Sequence, residues 1–165
     1  MKKLTSLTLI FALLFCLSGC GDKTPSGKLL ITVPEGFSKV EPGAGLTEQY
    51  DSDKNDGATI NMVAAEPDES VKNLTKEDFA ASMKQGLENS LGQEVDFEVV
   101  YFEGEEFLGC PGYSTCYKFS VMGLQFTHYQ IAASTTDGSY VWTMSDITGD
   151  YADVFAAAVK SAVIQ

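Results

Sequence analysis

The sequence predicts an α+β fold, an antiparallel sheet of about six or seven strands flanked by two helices. Three observations carry this reading. Helical periodicity occurs in two stretches of the mature chain, residues 75–91 and a closing run from about Asp150. The remainder is short alternating runs separated by Gly, Pro, Asn and Asp turns. Several of those runs are apolar on both faces: Tyr129 and Ile131 alternate against Phe126, and Tyr140, Trp142 and Met144 against Val141. A sheet with one wet face alternates more cleanly, so both faces of this one require cover.

Taken in order, Lys28 to Val33 places Leu29, Ile31 and Val33 on one face of a strand that Pro34 stops. Pro34-Glu35-Gly36-Phe37 reads as a turn, and residues 38–45, with Pro42, Gly43 and Gly45, as loop. A hairpin follows, with strands near 46–51 and 58–65 around Asp51-Ser52-Asp53-Lys54-Asn55-Asp56-Gly57. The helix over 75–91 has Thr75 as its N-cap, Asp78 three residues on as an approximate capping box, and Leu74 with Phe79 as a hydrophobic staple. Phe79, Met83, Leu87 and Leu91 form its apolar face, and Gly92 ends it. Strands are expected near 95–103, 113–122, 124–134 and 139–146, with turns at Gly104, Pro111-Gly112, Met122-Gly123 and Asp137-Gly138. The closing helix presents Tyr151, Phe155, Ala158, Val159 and Ala162 to the core.

The first twenty residues are of another kind. Lys2 and Lys3 precede an almost wholly apolar run, Leu4 to Phe15, which ends in Leu17-Ser18-Gly19-Cys20. The run before Ser18 is short for a spanning helix, which needs roughly 20 apolar residues. The order of parts resembles a secretory signal closing in a lipobox, as in the bacterial lipoprotein family. That resemblance implies cleavage before Cys20, a lipid on its sulfur, and an extracytoplasmic protein held at the cell membrane. Two acyl chains hold a protein stably where one holds it marginally. The chain then divides into a leader, 1–19, a lipidated cysteine and polar Gly/Pro/Ser tether, 20–27, and one domain, 28–165.

Charge narrows the range of partners. The chain has no arginine, and its formal charge falls from −12 to −14 when Lys2 and Lys3 leave with the leader. Phosphate backbones repel such a surface, which excludes nucleic acid. Anionic headgroups repel it too, so the domain stands off the bilayer on its tether. A hydrophobic content of 44% with 11% aromatics is that of a folded domain.

Cys16 lies in the leader and Cys20 takes the lipid, which leaves Cys110 and Cys116 in a compartment where disulfides persist. On one extended strand their Cα atoms would be about 20 Å apart, beyond bridging. A bend at Pro111-Gly112 would bring them together, so a bridge and two free thiols both stay open. The spacing is not the C-x-x-C of a redox or zinc site.

The acidic turn 51–57 fails as a helix-loop-helix calcium loop. Counted from Asp51, the sixth position is Asp56 where Gly is needed, and the twelfth is Met62 where a bidentate Glu is needed. Asn55-Asp56-Gly57 is explained by a hairpin turn. Catalytic signals are sparse. His128 is the one histidine, in a strand, and reads as a surface or hydrogen-bonded core residue. No phosphate loop or G-x-S-x-G elbow occurs, and no metal or cofactor is implied. Glu103, Glu105 and Glu106 offer paired carboxylates for a hydrolase, against the simpler reading of solvated turn charges. Tyr113, Tyr117, Phe119, Tyr129, Tyr140 and Trp142 fit a core better than a ligand groove.

The run of elements is similar to the PsbP/Mog1-like family, including its small bacterial lipoproteins. The resemblance rests on Val33-Pro34-Glu35-Gly36-Phe37, the hairpin ending in Ala58 to Ala65, the helix start Thr75-Lys76-Glu77-Asp78-Phe79, the meander from Phe107-Leu108-Gly109 to Thr143, and the helix from Tyr151. It implies an α-β-α sandwich and transfers no functional residue. The expectation is a lipid-anchored, non-catalytic binding or assembly module with an envelope protein partner. The alternatives are the carboxylate hydrolase and a lipoprotein that binds a small molecule or metal.

Overall fold

The structure, a computed structural model, describes residues 24–165. The expected leader, its expected cleavage and the expected lipidation of Cys20 fall outside the described residues. Chain order runs β1 (Leu29–Leu30), β2 (Phe37–Val40), β3 (Glu48–Ser52), β4 (Thr59–Ala65), a 3-10 helix (Glu69–Asn73), α1 (Lys76–Leu91), β5 (Asp96–Glu103), β6 (Glu106–Phe107), β7 (Cys110–Val121), β8 (Leu124–Ser134), β9 (Ser139–Asp146), α2 (Ala152–Lys160) and β10 (Val163–Ile164). Seven strands line up antiparallel as β2-β3-β4-β9-β8-β7-β5, with β6 beside β7 as an eighth. Next to this sheet, β1 pairs with β10.

Each face of the sheet has its own core, as the two-sided apolar strands require. On one face α2 sets Tyr151, Phe155, Ala158 and Ala162 against Ile60, Ile131, Trp142 and Met144. On the other, α1 sets Phe79, Met83 and Leu87 against Tyr113, Tyr117 and Phe119. The expected α-β-α layering is therefore present.

The ends of α1 follow the sequence. Thr75 Oγ1 accepts from the Asp78 amide at 3.1 Å, the N-cap bond, and donates to Asp78 Oδ2 at 2.7 Å, so Asp78 pairs with the cap's hydroxyl where a full capping box would pair with its backbone N–H. Gly92 adopts φ 66° and its N–H reaches Glu88 O. The start of α2 is held differently. Its N-terminal flank, Tyr151, makes no side-chain cap. Instead the buried Asp146 accepts from the amides of Thr148 (2.9 Å), Gly149 (2.9 Å) and Tyr151 (3.0 Å).

Four expectations change. Residues 37–40, read as turn and loop, form edge strand β2, because Phe37 reaches the rings of Tyr151 and Phe155 at 5.3 and 5.6 Å and the backbone pairs with β3. The strand expected over 28–33 shortens to two residues, since its partner is β10 rather than the main sheet. The 3-10 helix and β6 add elements that the periodicity left unmarked. Pro111-Gly112 is not a bend: both residues lie inside β7, Pro111 opposite Glu106 and Gly112 opposite Ala133. The reversal occurs earlier, at Leu108 (φ 55°) and Gly109 (φ 77°). Cys110 and Cys116 thus sit on one extended strand as buried free thiols, at a separation that no disulfide spans.

Candidate binding cleft

A cleft of about 390 Å³ lies between the sheet, the first half of α1 and the 3-10 helix. Three features of the chain create it. The 3-10 helix is capped by Asp68, whose Oδ1 accepts from Ser70 N at 2.8 Å, and it folds Val71 and Leu74 over the sheet. The apolar stripe of α1 supplies Phe79 and Met83, while Gly86 leaves open space one turn further on. From the strands come Tyr113, Gln130, Ala132 and Val141, which cross-strand register brings onto one face.

The floor carries an ordered polar chain. Tyr113 Oη donates to Gln130 Oε1 at 2.9 Å, and Gln130 Nε2 donates to Thr143 Oγ1 at 2.9 Å. Burial holds the Tyr113 phenol well above its ordinary range, so it stays a protonated donor. At the rim, Ser139 Oγ donates to Ser134 Oγ (2.9 Å), which also accepts from Asp68 N (2.8 Å). Asp68 Oδ2 is buried with no hydrogen-bond partner among the described residues. Among the described residues lining the cleft, Asp78 alone is charged. The volume falls within the range of small-molecule sites, and an apolar wall with a few fixed polar groups is their usual make-up.

The sequence candidates lie mostly elsewhere. Tyr113 and Tyr140 line the cleft, whereas Tyr117, Phe119 and Trp142 are core and Tyr129 packs against the α2 side. His128 is half-buried, edge-on to the rings of Tyr117 and Phe119 at 5.1 and 5.0 Å. Its Nδ1 lies 2.9 Å from Tyr117 Oη and its Nε2 3.1 Å from Ser145 Oγ. A neutral ring satisfies both hydroxyls, one nitrogen donating and the other accepting. Desolvation by the packing pushes its pKa down to about 4. The sequence left open a surface or a hydrogen-bonded core residue; the ring is half-buried and hydrogen-bonded at both nitrogens.

Glu103, Glu105 and Glu106 are exposed around the turn between β5 and β7. Glu105 and Glu106 border a second groove opposite Lys72 and Lys76, and none of the three lines the cleft. The acidic turn is structural: Asp56 Oδ2 accepts from Tyr151 Oη at 2.7 Å and its Oδ1 from Ala58 N at 3.2 Å. Burial pulls the Asp56 pKa up, and these hydrogen bonds outweigh it to leave a net fall. No group of three or more metal-ligating side chains occurs among the described residues. No helix among them is long and apolar enough to cross a membrane.

Sequence reasoning missed Gln130 and the serines at the rim. Its one available signal was a glutamine inside an otherwise apolar stretch of strand, Tyr129-Gln130-Ile131.

Neither a protein-family model nor a curated protein sequence matches the chain. Solved structures do match in fold. The solution structure of cyanobacterial PsbP (CyanoP) from Synechocystis is similar with a TM-score of 0.63 and 13% identity, over 92% of this chain and 99% of that one. The crystal structure of LpqN from Mycobacterium tuberculosis, described as involved in cell envelope biogenesis, is similar with a TM-score of 0.51 and 15% identity, over 88% of this chain and 87% of that one.

Proposed function

We propose that this chain, which shares the PsbP-like fold, is a lipid-anchored extracytoplasmic binding module without catalysis of its own. The cleft beside α1 is its ligand site. The observation that carries the reading is the cleft itself, an apolar space of about 390 Å³ floored by the Tyr113–Gln130–Thr143 chain. Such a site holds a small, mainly apolar molecule by burial and orients it by a few hydrogen bonds. With Asp78 the one charged residue lining it among those described, and a net charge of −12 on the chain, it favours a neutral or cationic polar end and disfavours an anion.

The location rests on the leader and on the Leu17-Ser18-Gly19-Cys20 motif. The likeness in fold to LpqN, described as involved in cell envelope biogenesis, supports a place in the envelope. An envelope protein that receives or supplies the ligand is the partner this role requires.

The test is titration of the purified full chain with Nile red, a neutral apolar dye. Saturable binding at one site is expected, weakened at least tenfold by Gly86→Phe, which projects a ring into the cleft from a position where a Cβ meets nothing within 4 Å. Absence of saturable binding, or binding that Gly86→Phe leaves unchanged at the same melting temperature, would overturn the assignment. Substrate turnover lost on mutating the cleft would overturn the non-catalytic part.

A further inference from the structure

We infer that the end of the domain carrying the β8–β9 turn, the Leu108–Gly109 reversal and the near end of the cleft faces the membrane. This orientation rests on the anchoring at Cys20 proposed above.

Residues at the start of the described chain are held to one end of the sheet. Thr136 N donates to Pro25 O at 3.1 Å. Gly27 N donates to Asp137 Oδ2 at 2.8 Å, and Thr135 Oγ1 donates to Gly27 O at 2.7 Å. Lys28 N then donates to Gln165 O at 2.6 Å, which fixes the segment against the last residue of the chain. Residues 25–28 are therefore part of the folded body, and the tether is shorter than its composition suggests. From Cys20 to Thr24 the chain spans at most about 14 Å. A lipid on Cys20 thus keeps this end within about 14 Å of the bilayer surface.

The opposite end is distant. β7 runs from Cys110, at the tethered end, to Val121 over 12 residues, about 35 Å at strand rise. The exposed Met122 turn lies at the far side. The cleft belongs to the near half: its lining includes Ala132 to Ser134 and Ser139 to Val141, the residues that flank the turn holding Gly27. Exchange of an apolar ligand then takes place next to the membrane. Glu103, Glu105, Glu106 and Asp137 at this end keep it off anionic headgroups.

The experiment uses the full lipidated chain in phosphatidylcholine vesicles that contain a headgroup nitroxide lipid. A fluorophore is attached at Leu108→Cys in one variant and Met122→Cys in another; both positions are exposed, while Cys110 and Cys116 are buried. Quenching at position 108 is expected to exceed that at 122 severalfold. Acylated protein, verified by the mass of Cys20, with equal or reversed quenching would overturn the orientation alone. A Cys20 without acyl mass would overturn the anchoring and the orientation with it.

Discussion

The Tyr113 hydroxyl donates to Gln130 Oε1 across 2.9 Å, joining two adjacent strands at the lining of the cleft. Gln130 is fully buried and hands the chain on to Thr143. A glutamine in that position costs desolvation unless each end is paired, and the tyrosine supplies the missing donor.

Removing that donor has a defined effect. Tyr113→Phe leaves Gln130 Oε1 buried without its partner and should cost about 1–3 kcal/mol. Replacing Gln130 by Leu in the same chain should cost less than the two single changes together, because the acceptor that Tyr113→Phe orphans, Gln130 Oε1, is then gone. Urea denaturation midpoints of the three variants measure this.

Acid should weaken the fold through His128. Its folded-state pKa of about 4 lies below the ordinary histidine value of 6.5, so the unfolded chain takes up the proton first. The native state's advantage is complete above about pH 6.5 and falls as pH drops toward 4, by up to about 3 kcal/mol. His128→Gln keeps an amide near the Tyr117 and Ser145 hydroxyls and should flatten this part of the stability–pH curve. Urea unfolding between pH 4 and 8 compares the two chains.

Two glycines separate backbone conformation from crowding. At Gly92 (φ 66°) an added Cβ meets nothing within 4 Å, so Gly92→Ala should cost about 1 kcal/mol of left-handed strain. At Gly112 the same Cβ would sit 2.2 Å from Ala132 O, so Gly112→Ala has to push β7 from β8 and should cost about 3 kcal/mol. Thermal melts of both variants rank them.

The two thiols should remain separate. Denatured without reductant after mild oxidation, the chain should take up two alkylating groups at Cys110 and Cys116, read by peptide mass. A linked peptide pair would contradict their place on one extended strand.

Local features were legible wherever a local force produced them. The extent of α1 followed from a single apolar stripe with a cap at each end, and the hairpin turn at Asn55–Gly57 from residues that tolerate positive φ. Strand β2 was not legible, because four residues carry too little periodicity and the identity of its neighbour is what makes them a strand. Pro111-Gly112 misled for the same reason: a turn-forming pair sits inside β7 because β6 and β8 hold it there.

By itself the sequence determined the two-sided apolar strands, the helix stripe and its caps, and the acidic arginine-free composition, all of which are set by the residues themselves or by neighbours close together in the chain. Tertiary structure decided the rest. The cleft takes its walls from the 3-10 helix, α1, β7, β8 and β9, and the N-terminal segment meets a turn 110 residues away through the bond from Gly27 N to Asp137 Oδ2. Such contacts depend on strand register and on which face each helix covers, and these are fixed by packing the whole chain rather than by any one stretch of it.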